Sequence, residues 1–87
     1  MMIKVYGADW CGDTKRVLNQ LDSLNVNYDY VDVDQDVSAS KWVKSQNEGK
    51  ERKPTLLVGS RVLSVPSEDG LKAALESEVK TGKKPGL

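Results

Sequence analysis

Residues 2–14 read Met2-Ile3-Lys4-Val5-Tyr6-Gly7-Ala8-Asp9-Trp10-Cys11-Gly12-Asp13-Thr14, and the change of pattern within them decides the fold class. Met2–Tyr6 is apolar apart from Lys4 and reads as a strand, stopped by Gly7 and the turn-prone Ala8-Asp9. From Asp13 to Asn25 the residues Val17, Leu18, Leu21 and Leu24 recur at helical spacing, which predicts an amphipathic helix. Tyr28–Val33 mixes aromatic and β-branched residues with Asp29 and Asp32 and predicts a second strand. Strands joined by a helix of this length pair in parallel through a right-handed crossover. The chain thus opens with a βαβ unit.

A second helix is predicted over Val37–Asn47, capped by Asp36 or Ser38, with Val37, Trp42, Val43 and Gln46 on one side and Gly49 as a left-handed stop. The charged run Lys50-Glu51-Arg52-Lys53 leads into Pro54. Thr55–Val58 and Arg61–Leu63, separated by Gly59-Ser60, then predict a two-residue β-hairpin. Ser67 is the expected N-cap of a last helix whose buried stripe is Leu71, Ala74, Leu75 and Val79. Residues 1–80 form one domain on this reading, and residues 81–87 a flexible tail. The order is β-α-β-α-β-β-α, a four-stranded mixed sheet with helices on both faces.

Thirteen Lys and Arg balance thirteen Asp and Glu, which gives no electrostatic reason to expect a nucleic acid or a membrane surface as partner. No apolar run is long enough to span a bilayer, and the first strand starts too early for a leader-peptide layout. The absence of histidine removes imidazole bases and His-based metal sites. Asp29, Asp32, Asp34 and Asp36 lack the bidentate Glu of a calcium loop and read as a solvated edge, so no metal site is expected. With one cysteine these 87 residues cannot form an internal disulfide, which points to a reducing cytoplasm.

That cysteine, Cys11, stands where a strand ends and a helix begins. First-turn amides and the helix dipole favour a thiolate there, and Lys15 and Arg16 are expected to add to the effect while Asp9 and Asp13 oppose it. Thr14 can turn its hydroxyl back to the sulfur. Position alone leaves open a second reading, in which Cys11 is a small buried hydrophobe.

Trp10-Cys11-Gly12 after a first strand, Pro54-Thr55 opening a hairpin and the Ser64–Asp69 segment beyond it together resemble the thioredoxin superfamily. The short β-α-β-α-β-β-α plan is similar to its glutaredoxin branch, mycoredoxin-like members included, from Ile3 to about Val79. The resemblance implies a thioredoxin-like fold and thiol–disulfide exchange on mixed disulfides between proteins and a small thiol. On that pattern Cys11 is the nucleophile and Pro54 a cis-proline facing it. Trp10 and Lys53 flank the bound thiol, and Ser67, Glu68 and Asp69 offer backbone amides to its carboxylate. Glutathione or another low-molecular-weight thiol is the implied co-substrate, with no tightly bound cofactor, on a monomer.

Three positions depart from the family pattern. Thr14 replaces the second cysteine of dithiol members, Lys53 replaces an apolar residue before the proline, and Ala8 replaces a basic residue three positions before the cysteine. Any charge for a carboxylate then falls to Lys50, Arg52 or Lys53. Two other functions fit the same scaffold. One is an iron–sulfur carrier in which a dimer shares a cluster through two Cys11 thiolates, although Asp13 and Thr14 depart from the Phe-Ser typical of such members. The other is a binding module with Cys11 idle.

Overall fold

Val5 pairs with Tyr30 on one side and Leu56 on the other, which puts the first strand at the middle of the sheet. The computed structural model describes residues 2–82. Its elements are β1 (Ile3–Gly7), α1 (Gly12–Ser23), β2 (Asp29–Asp32), α2 (Val37–Gln46), β3 (Thr55–Val58), β4 (Arg61–Ser64) and α3 (Glu68–Gly82). The sheet order is β2-β1-β3-β4. β1 and β2 run parallel, as the helical crossover requires, and the other two pairings are antiparallel.

Alternation along β1 divides the core in two. Ile3 and Val5 join Leu56 and Val58 of β3 beneath Val17 and Leu21 of α1 and Leu71 and Leu75 of α3. Tyr6 points the other way, where Val31, Val33, Ala39, Trp42 and Val43 collect beneath α2. There the Tyr6 and Trp42 rings lie 4.6 Å apart between centroids. Each fully buried Leu or Val contributes about 1.5–3 kcal/mol, so the first cluster dominates stability. Helices cover both faces, as expected for a thioredoxin-like fold.

Two apolar residues leave their expected stripes. Leu24 lies just past α1, where Asn25 (φ 61°) turns the chain, and is 43% exposed. Val37 is 72% exposed because the buried side of α2 is Ala39 and Val43, and a residue two before Ala39 lies about 200° round the helix. Gln46 is exposed as well. Asp36 is the cap of α2, accepting from the Ala39 amide at 3.0 Å, and Gly49 has the left-handed backbone expected of it (φ 86°). Gly59 takes φ 62° at the first turn position of the β3–β4 hairpin, where an L side chain is strained. Helix α3 runs through Thr81 and Gly82, two residues into the expected tail, and residues 83–87 lie outside those described. The side chain of Val79 lies outside the description too.

Gly7 ends β1 against α1. A Cβ there would stand 2.5 Å from Thr14 Oγ1 and 2.6 Å from its methyl carbon. Gly7→Ala should therefore destabilise the protein by about 1–3 kcal/mol through overpacking, read from urea denaturation. A change within 0.5 kcal/mol would show that the α1–β1 junction is loose, against this packing.

Candidate active site

Cys11 is the N-cap of α1, with extended backbone (φ −82°, ψ 122°). Its amide donates to the Ala8 carbonyl at 3.0 Å, and its carbonyl accepts from the Lys15 amide at 3.1 Å. The loop is thus closed on one side and the helix started on the other. The side chain is half-buried, and Sγ donates to the Lys53 carbonyl oxygen at 3.7 Å.

Thr14 is 1% exposed, one turn into α1, and its hydroxyl accepts from the buried Ala8 amide at 3.3 Å. With its lone pair so occupied, the hydroxyl has its proton free to donate to Cys11. Burial pushes the Cys11 thiol up, but the nearby Thr14 hydroxyl and the first-turn amides of Thr14 and Asp13, which close no cap hydrogen bond on the side chain, favour the thiolate and hold it below the ordinary thiol value. The Asp13 carboxylate opposes them. Lys15 and Arg16, expected to help, do not carry the shift. Arg16 reaches instead for the Pro66 carbonyl at 2.8 Å and for Asp13 at 3.6 Å.

The Lys53–Pro54 bond is cis, as the resemblance implied, and Pro54 is fully buried. A buried polar network anchors this loop. Asn47, the C-cap of α2, donates to the Val43 carbonyl at 2.7 Å and to Thr55 Oγ1 at 3.2 Å, and Thr55 donates to the Arg52 carbonyl at 2.8 Å. Ser64 of β4 bonds the Asn47 amide oxygen. The Pro54 carbonyl accepts from Val65, whose φ of 42° is unusual for a β-branched residue, at 2.8 Å. Satisfied buried networks of this kind fix geometry.

Beside the sulfur stands a second cluster. The Lys53 ammonium lies 4.7 Å from the centroid of the Trp10 ring, 3.1 Å from Glu51 and 3.5 Å from Asp34. The indole N–H of Trp10 donates to Asp34 at 2.7 Å, and the Ser40 hydroxyl bonds Glu51. Lost hydration pushes Lys53 down, yet Glu51 and then Asp34 hold it above the ordinary lysine value. Ser40 first, and Lys53 next, hold Glu51 below the usual carboxylate range. Asp34 is therefore a structural partner rather than part of a solvated edge. Asp34 and Glu51 are the residues that sequence reasoning missed: Asp34 meets Lys53 only through the tertiary fold, and Glu51 lies in a charged run whose pattern reads as a solvated face.

The start of α3 is tied to α1 rather than to the cis-proline loop. Ser67 caps it, accepting from the Gly70 amide at 3.0 Å, and the Gln20 amide donates to the Glu68 carbonyl at 2.9 Å. Glu68 shares a surface depression with Gly12, Lys15 and Arg16 of α1. Glu68 and Asp69 are both exposed. The Lys53 carbonyl thus meets the sulfur, with Pro54 next in the chain and Trp10 on the Lys53 ammonium, whereas Ser67 and Glu68 make their contacts with Gly70 and Gln20.

Thr14→Val should raise the Cys11 pKa, because it removes a donor to sulfur, while Thr14→Ser should leave it near the parent value. Reaction with an alkylating agent as a function of pH measures this. The sign is that the rate rises as pH passes upward through the Cys11 pKa, so the Val profile moves to higher pH. Coincident profiles for all three proteins would remove Thr14 from the site.

Comparison with known proteins points the same way. A family model described as glutaredoxin matches residues 3–63. Mycoredoxin 1 of Corynebacterium glutamicum is 43% identical over 54 residues, covering 62% of this chain and 66% of that protein, just under two thirds of its length. A Mycobacterium tuberculosis protein designated a glutaredoxin is 32% identical over 74 residues, 84% of this chain and 88% of its own. Among solved structures, a thioredoxin-like protein superposes with TM-score 0.75 at 25% identity, over 84% of this chain and 97% of that one. The NrdH-redoxin of Escherichia coli superposes with TM-score 0.67 at 16% identity over the full length of both, a likeness of fold alone. On the family match across most of its length, a span that includes Cys11 and Pro54, the chain belongs to the glutaredoxin family.

Proposed function

We propose that this protein is a monothiol thiol–disulfide oxidoreductase that removes a small thiol from mixed disulfides on proteins. The observation that supports it most is the half-buried Cys11 sulfur with its three first-turn donors, facing the Lys53–Pro54 edge. The Cys11 thiolate attacks the small-thiol sulfur of the mixed disulfide. A new S–S bond forms, the old one breaks, and the protein thiolate leaves with the electron pair and takes up a proton. Cys11 is left joined to the small thiol.

With no second cysteine among the 87 residues, a second small-thiol molecule resolves the adduct. Its thiolate attacks the bound sulfur, releases the disulfide of the two small thiols, and regenerates the Cys11 thiolate. The Thr14 hydroxyl and the two amides then stabilise the departing charge, as a preorganised anion site does. Glutathione or an equivalent low-molecular-weight thiol serves as co-substrate, with no tightly bound cofactor. Trp10, Lys53 and Pro54 flank the bound thiol, and Ser67, Glu68 and Asp69 face its distal end. Among the described residues no helix is long and apolar enough to cross a membrane. A monomer working in a reducing cytoplasm is part of the same proposal.

Incubation with oxidised glutathione should give a single adduct of one thiol per chain by intact mass, absent from Cys11→Ser and removed by excess reduced thiol. Anaerobic incubation with iron, sulfide and the thiol should leave a colourless monomer. A coloured, Cys11-dependent dimer would replace the oxidoreductase with a cluster carrier, and an unreactive thiol would leave only a binding module.

A further inference from the structure

The Lys53 ammonium is matched twice, by Glu51 at 3.1 Å and Asp34 at 3.5 Å, and its side chain is only 15% exposed. Both acids have a second anchor, Ser40 for Glu51 and the Trp10 indole for Asp34. The same Lys53 offers its carbonyl to the Cys11 sulfur, and Trp10 is the residue before Cys11. A ring of contacts therefore runs from Cys11 through Trp10, Asp34 and Lys53 back to the sulfur. With Glu51, which binds Lys53 from outside the ring, one cation and two carboxylates carry one excess negative charge.

We propose that Asp34 and Glu51 are specificity-determining residues: by sequestering the Lys53 ammonium they make the flank of Cys11 disfavour anionic conjugates relative to neutral or cationic ones. Lys53 belongs to the edge that lines the attacking sulfur, to which it gives its carbonyl, so a free ammonium there would attract a carboxylate. Held by two acids it cannot, and Asp34, 39% exposed in its side chain, presents the surplus charge to the approaching group. The effect is Coulombic and therefore weakens with salt. It deepens the oxidoreductase reading by naming what the site selects, and rests on Cys11 as the reacting thiol.

Methanethiosulfonate reagents of opposite charge, the ethyltrimethylammonium and ethylsulfonate forms, test it without any need for turnover. The Cys11 thiolate attacks the sulfenyl sulfur, a disulfide forms, and methanesulfinate leaves with the electron pair. The readout is the cation-to-anion rate ratio at low salt, divided by that of free N-acetylcysteine amide. The double variant Asp34→Asn, Glu51→Gln keeps the hydrogen-bond acceptors and should lower the ratio by about fivefold. Lys53→Met should raise it, and Lys53→Arg should restore the parent value. Raised salt should compress all four ratios toward one another. A ratio unmoved in both the double variant and Lys53→Met would overturn the proposal, even if the protein turns over mixed disulfides. Loss of turnover with the ratios shifting as expected would overturn the oxidoreductase reading and leave this one standing.

Discussion

Thr14 accepts the Ala8 amide on its hydroxyl, one helical turn past Cys11, and that one contact joins the end of β1 to the helix start that carries the thiol. The Ala8 amide is buried and needs an acceptor, since an unmet donor there costs about 1–3 kcal/mol. Thr14 supplies one, and the same hydroxyl favours the Cys11 thiolate. Gly7 is the residue that lets Thr14 come close enough. A strand end, a turn and the first turn of a helix are thereby locked together, and the thiol is where their free donors converge. Stability and reactivity share one contact.

The cis-proline loop meets this unit from the other side, and its position is set from α2 and β4. Asn47 binds α2 to Thr55, Ser64 binds β4 to Asn47, and Val65 holds the Pro54 carbonyl. The sulfur therefore lies between two walls that are each fastened independently to the sheet. Lys53 joins them, with its carbonyl on Cys11 and its ammonium on Trp10, Asp34 and Glu51. The residue before the cis-proline is the hub of an ion network. Substrate charge, rather than shape alone, is what such a hub can sense.

Much of the fold is legible in the sequence because it rests on local pattern. The helical spacing of Val17 and Leu21, the Gly59-Ser60 turn and the Asp36 and Ser67 caps are each settled by neighbours within a few residues. Leu24 and Val37 escaped that logic because whether an apolar helix position is buried depends on how far the helix overlaps the sheet and which side faces it. Cys11, Trp10 and Pro54 could be picked out from the motif they form. The source of the thiol's shift could not: Lys15 and Arg16 are close in sequence, but Arg16 is drawn to Pro66, fifty residues away. Nor could the partners of Lys53, since Asp34 reaches it from the β2–α2 loop, and Glu51, two residues away, is aimed at it by Ser40 of α2.

At Cys11 the first-turn amides and the Thr14 hydroxyl outweigh burial and the Asp13 charge. Titration of the wild-type thiolate by its ultraviolet absorbance, with Cys11→Ser as the blank, tests it most directly. A midpoint below the free-thiol value of about 8.5 is expected. A midpoint at or above that value would contradict the account, because burial and Asp13 would then have won.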